Sequence, residues 1–172
     1  SGLNPLLQNY WMVIHPPTLF LGFALCVLPF SYAVSSLRLR DYRKWLNPTQ
    51  KYLLLSVVVL GIGIMMGAYW AYETLNFGGY WNWDPVENAV YVPWLFLVAS
   101  FHCLILTNRK KQYYKMSYVL SLSSFLLILY STFLTRSGIL GDSSVHSFTD
   151  LGLSGQLLIC LFLFIIISIY LL

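Results

Sequence analysis

Three imidazoles and one dense aromatic stretch are the parts of this sequence that could do chemistry. His15 stands in MVIHPPTLF, His102 lies inside an apolar run, and His146 falls in SVHSF. The stretch GGYWNWDPVENA, residues 78–89, places two tryptophans, a tyrosine and two carboxylates between hydrophobic segments. Imidazole nitrogens ligate iron from either side of a flat macrocycle, and an apolar porphyrin lies well against indole rings that exclude water. Two histidines around an aromatic platform of Trp70, Tyr80, Trp81 and Trp83 therefore resemble the parts of a bis-histidine haem site. Tryptophans at a membrane boundary also form an ordinary aromatic belt, and composition alone leaves both readings open.

The elements that must position these residues are membrane helices. Of the 172 residues, 58% are hydrophobic, 17% aromatic and only 9% charged, a balance far from that of soluble domains. Five apolar runs, at 17–37, 52–70, 88–106, 116–134 and 153–172, are each close to the length needed to cross the hydrocarbon core. The fold class expected is all-α: a polytopic membrane protein of about five transmembrane helices, with one domain over 1–172 and a Trp-rich external loop over 71–87. The chain opens and closes abruptly, with no basic start or cleavage pattern of a signal peptide, which predicts a segment of a longer polytopic protein.

Charge orients the loops. Arg38, Arg40, Arg43, Lys44 and Lys51 fill the first connection, and Arg109, Lys110, Lys111 and Lys115 the third, which is the positive-inside pattern rather than a nucleic-acid patch. The N-terminus and the Trp-rich loop then face the non-cytoplasmic side, together with residues 135–150. Arg136 is the one cation on that side, and it can pair with an anionic ligand group or anchor its helix to lipid headgroups.

Local signals set expectations for individual residues. Pro16 disfavours helix at His15, so His15 is expected just before the first helix, at the outer membrane surface. His102, about 20 Å into the third helix, is either a functional group or a neutral histidine bonded to a neighbouring helix. Asp84, Pro85 and Glu87 read as an N-cap, a first-turn proline and a capping-box acid. Gly63 and Gly67 make a GxxxG spacing for close helix packing, and Pro29 and Pro93 predict kinks. Cys26, Cys103 and Cys160 read as buried apolar side chains, and the absence of CxxCH excludes covalent c-type haem on this chain.

GAYWAYETLNFGGYWNWDPVENA resembles the tryptophan-rich WWD signature of the haem-handling cytochrome c assembly proteins, a family that includes CcmF, CcmC and CcsA. MVIHPPTLFLGF and FLTRSGILGDSSVHSF resemble the histidine-bearing segments that flank it, and the HPP, DPVENA and TRSG details are most like the CcmF branch. The resemblance implies that His15 and His146 ligate the iron of haem held against the WWD loop. It also implies that His102 ligates a second haem, of b type. It further implies thioether formation between haem vinyls and the CxxCH thiols of an apocytochrome c, as a haem lyase component. A CcmE-like haem chaperone and other cytochrome c maturation subunits would be its partners, in a bacterial inner or mitochondrial inner membrane. The family's b haem takes a second membrane histidine that three histidines cannot supply here, so that ligand is expected elsewhere in a longer protein. Two other functions fit the composition: a transmembrane haem transporter, and a structural membrane subunit without haem.

Overall fold

The computed structural model describes residues 8–75, 78–140 and 152–172. These form six helices, α1 (Tyr10–Leu25), α2 (Val27–Leu39), α3 (Leu46–Thr74), α4 (Pro85–Lys110), α5 (Tyr114–Arg136) and α6 (Ser154–Leu171). Helices α1 and α2 together make one span, so five segments are long and apolar enough to cross a membrane. Among the described residues there is no strand.

The first span divides at Cys26 for a covalent reason. Pro29 has no N–H for the carbonyl of Leu25 and its ring crowds that carbonyl, so α1 ends there. The Cys26 N–H turns back to the Phe23 carbonyl at 3.1 Å, and the helix restarts at Val27. Pro93, by contrast, sits buried inside an unbroken α4.

Helix α1 begins earlier than the prolines suggested, and His15 lies in its second turn rather than ahead of it. Asn9 caps it, its side chain accepting the Trp11 N–H at 2.8 Å. Pro16 and Pro17 are carried inside the helix, where an interior proline costs about 3 kcal/mol or more. Contacts with α3 offset that cost. Asn9 donates to Glu73 at 3.2 Å, and the Trp11 and Tyr69 rings meet edge to face at 5.0 Å.

Helix α1 packs along α3, α3 along α4 and α4 along α5, while α2 reaches α3, α5 and α6. Buried residues recur every seven positions: Leu46, Leu53 and Leu60 on α3; Val90, Leu97 and Leu104 on α4; Ser117, Ser124 and Ser131 on α5. That repeat keeps one stripe of each helix facing its neighbour. Lipid tails are as apolar as leucine, so close packing and interhelical hydrogen bonds must supply the association. Ser100 and Ser121 hydroxyls meet at 2.8 Å and Thr107 and Ser117 at 2.7 Å, both buried between α4 and α5.

The basic end of the bundle is tied separately. Trp45 stacks on Tyr118 at 4.3 Å, the Tyr118 and Ser36 hydroxyls meet at 2.6 Å, and Asn108 donates to Asn47 at 2.8 Å. Lys44 lies 3.0 Å from Asp41, and its hydrogen bond holds that carboxyl below the usual carboxylate range.

Backbone approach between α1 and α3 is closest at Gly22, where an added Cβ would stand 2.7 Å from Leu60 Cα. Gly22→Ala should destabilise the protein by about 1–3 kcal/mol, read as a lower thermal midpoint in detergent. Gly155→Ala on α6, where a Cβ meets nothing within 4 Å, should leave the midpoint unchanged or slightly raised. Equal midpoints for the two variants would contradict this packing.

Candidate functional site

The aromatic stretch is positioned by the first turn of α4. Asp84 caps that helix, accepting the Val86 N–H at 2.8 Å, with Pro85 following and Glu87 closing the capping box, as the DPVE spacing predicts. Glu87 does more than cap. One of its carboxylate oxygens accepts both the Asn82 N–H at 3.0 Å and the Asp84 N–H at 3.1 Å, and the Asn88 side chain donates to the Trp83 carbonyl at 2.9 Å. Three successive backbone residues are thus fixed from the helix.

Trp83 sits between those anchors with φ +56°, a left-handed conformation that costs a non-glycine residue about 1–2 kcal/mol. Its indole is 67% exposed, which is far from the burial such a ring usually seeks. Edge-to-face contacts hold it to Trp81 at 6.2 Å and Tyr91 at 6.4 Å, and Trp81 also meets Tyr91 at 5.5 Å. Tyr91 stacks on Trp94, whose Nε1–H donates to the Val57 carbonyl at 3.0 Å. Trp81 Nε1 is buried without a hydrogen-bond partner among the described residues.

Tyr80 belongs to a second aromatic group. It stacks on Tyr72 at 4.2 Å and lies 6.1 Å from Tyr69, both at the end of α3. Gly78, at φ +73°, turns the chain toward this group. Trp70 is buried on α3, three residues beyond Gly67 and so on the same helical face. The four aromatics expected in one platform are therefore distributed over a buried helix position and two surface groups.

His15 meets α3 directly. Its Nδ1 lies 2.9 Å from the Gly63 carbonyl, which can only accept, so the proton is assigned to Nδ1 and the lone pair to Nε2. The ring can reach that carbonyl because residue 67 is glycine: an added Cβ would stand 2.6 Å from His15 Cε1. The GxxxG pair is thus an imidazole cradle as well as a helix contact. The sequence reads Gly63 and Gly67 as packing alone and gives no sign of Asn88 as an anchor of Trp83. The histidine cradle had no signal in the spacing.

His102 is exposed on α4, and its Nδ1 bonds to the Val98 carbonyl of its own helix at 2.8 Å, not to a neighbouring helix. The guanidinium of Arg136, in the last turn of α5, lies 5.9 Å over the Phe20 ring of α1. His146 lies outside the described residues. The described parts thus comprise an exposed indole and a buried indole N–H without a partner beside α4, and an imidazole of α1 held through Nδ1.

Five membrane-crossing segments with an aromatic shelf pinned at one end define a polytopic membrane protein. It belongs to the cytochrome c assembly family: the family model described as "Cytochrome C assembly protein" matches residues 1–140. The cytochrome c-type biogenesis protein CcmF of Pseudomonas aeruginosa is 40% identical over 154 residues, 87% of this chain and 23% of that protein. CcmF of Escherichia coli is also 40% identical, over 86% of this chain and 23% of its own length. A solved structure titled "Cytochrome c Heme Lyase CcmF" is 33% identical with a TM-score of 0.73, covering 94% of this chain and 26% of that one. The chain spans about a quarter of the length of these relatives.

If Glu87 fixes the shelf, Glu87→Ala should speed hydrogen exchange at the Asn82 and Asp84 amides, with a loss of about 1 kcal/mol from the broken cap. Glu87→Gln, which keeps an acceptor oxygen, should retain most of the protection. Exchange at both amides that is the same in Glu87→Ala as in the parent would show that the carboxylate does not hold them.

Proposed function

We propose that this chain supplies the haem-presenting part of a cytochrome c assembly protein, holding haem for covalent attachment to apocytochrome c. The observation that supports the reading is the Nδ1–H of His15 bound to Gly63 across Gly67, which puts the ring's lone pair on Nε2, as an iron ligand requires. Support comes from the exposed Trp83 indole and the unpartnered Trp81 Nε1–H, a donor for an acceptor on the ligand. In this reading His146 supplies the second imidazole.

The chain's own work is positioning. The Gly63 carbonyl sets the tautomer and angle of His15. Glu87 and Asn88 hold the tryptophans where they exclude water from one ring face, and Arg136 pairs with an anionic edge group. Haem supplies the vinyl groups, to which the thiols of the CxxCH partner add, each S–H hydrogen passing to a vinyl carbon without net oxidation. His102, with Nδ1–H likewise committed to a backbone carbonyl, would ligate a second haem whose other ligand lies in a different part of the assembly. The tryptophan end then faces the non-cytoplasmic side, where a haem chaperone and other maturation subunits meet it.

His15→Ala and His146→Ala should each shift the visible spectrum of the bound haem, with partial recovery on adding imidazole. Gly67→Val, which removes no ligand, should shift the same spectrum by displacing the His15 ring. Arg136→Ala should lower haem retention during purification. Parent-like spectra in both histidine variants would overturn the ligand assignment.

A further inference from the structure

At the end of the bundle away from Trp81 and Trp83, the last turn of α2, residues 40–43, the first turn of α5 and the end of α6 enclose an open groove. Arg38, Arg40, Arg43 and Lys115 line it, and none of them makes an ion pair among the described residues. Asp41 is the one side-chain carboxylate among the residues lining the groove, and it is already bound to Lys44. Four uncompensated like charges around one recess create a positive potential that an anion relieves.

The remaining wall is aliphatic, with Val34 and Leu37 from α2 facing Ile166, Ile167 and Leu171 from α6. Tyr118 is held in place there by Ser36 and Trp45. A free phosphate would use the cations and leave this wall bare. The groove's volume, about 1930 Å³, exceeds the roughly 300–1,000 Å³ of ordinary small-molecule pockets. A cationic rim above an aliphatic cleft between helix ends matches a molecule with an anionic head and hydrocarbon chains.

We propose that this groove binds an anionic phospholipid, with its phosphate among Arg38, Arg40 and Arg43 and its acyl chains descending between α2 and α6. The lipid then joins the last helix to the first span at the basic end. Nothing in this assignment depends on haem.

The test is lipid analysis of the full chain, purified in mild detergent from membranes containing phosphatidylglycerol and phosphatidylethanolamine. Phosphatidylglycerol should be retained in preference to phosphatidylethanolamine. The Arg38→Gln, Arg40→Gln, Arg43→Gln triple variant should lose about a hundredfold of it, from roughly a fivefold contribution per cation. Lys115→Gln alone should lose severalfold, which keeps the test open if the triple variant does not accumulate. Lys110→Gln with Lys111→Gln, at the same end but outside the groove, should retain the parent amount. No preference for phosphatidylglycerol in the parent, or equal retention in groove and control variants, would overturn the assignment, as would a groove filled by polypeptide. Haem spectra of the same samples should be unaltered, so that failure here is separable from failure of the haem reading.

Discussion

The contact on which the tryptophan end depends is the approach of α1 to the backbone of α3 over Gly63 and Gly67. Two glycines remove the side chains that would hold the helices apart, and Leu19 and His15 occupy the space. The imidazole then makes a hydrogen bond to a helix carbonyl that side chains ordinarily screen. That bond fixes a tautomer, and the same approach brings Asn9 to Glu73 and Trp11 to Tyr69. The helical course of α1 through two prolines follows from these ties. A pre-proline residue prefers an extended backbone in isolation, but here several tertiary contacts hold it helical.

A second constraint comes from the solvent. In a bilayer the apolar stripes that fold a soluble bundle gain little by meeting each other, so this chain uses serine, threonine and glycine at its tightest interfaces. Each interhelical hydrogen bond in such settings contributes only about 0.6 kcal/mol, so the bonds that Ser121 and Ser117 make to α4 add to close packing rather than replace it. Rigidity at the tryptophan end is obtained differently. Glu87 and Asn88 project from a capped helix and hold backbone groups of the preceding residues, so the exposed indole of Trp83 inherits the stiffness of α4.

Much of this architecture was legible in the sequence. Five spans follow from length and hydropathy because a helix must satisfy its own backbone in lipid, and the α4 cap follows from Asp84, Pro85 and Glu87 because capping is local. The break in the first span was also readable from Pro29, although it falls at Cys26, since the proline disturbs the carbonyl four residues earlier. Other features were not legible, for physical reasons. His15 pairs with a residue 48 positions away, and no local rule reports that. The division of Tyr80 from Trp81 and Trp83 depends on which helix end each ring meets, a property of the turn at Gly78 and Gly79. The seven-residue repeat of serines on α5 was present in the sequence, but polar periodicity in an apolar run is easily passed over when the search is for hydrophobic length.

The interruption at Cys26 has a mechanical meaning. An unbroken helix transmits a tilt along its whole length, whereas here the ladder of backbone hydrogen bonds stops midway through the first span. One membrane crossing is thus built from two helical segments seated on different neighbours, the upper along α3 and the lower against α3, α5 and α6.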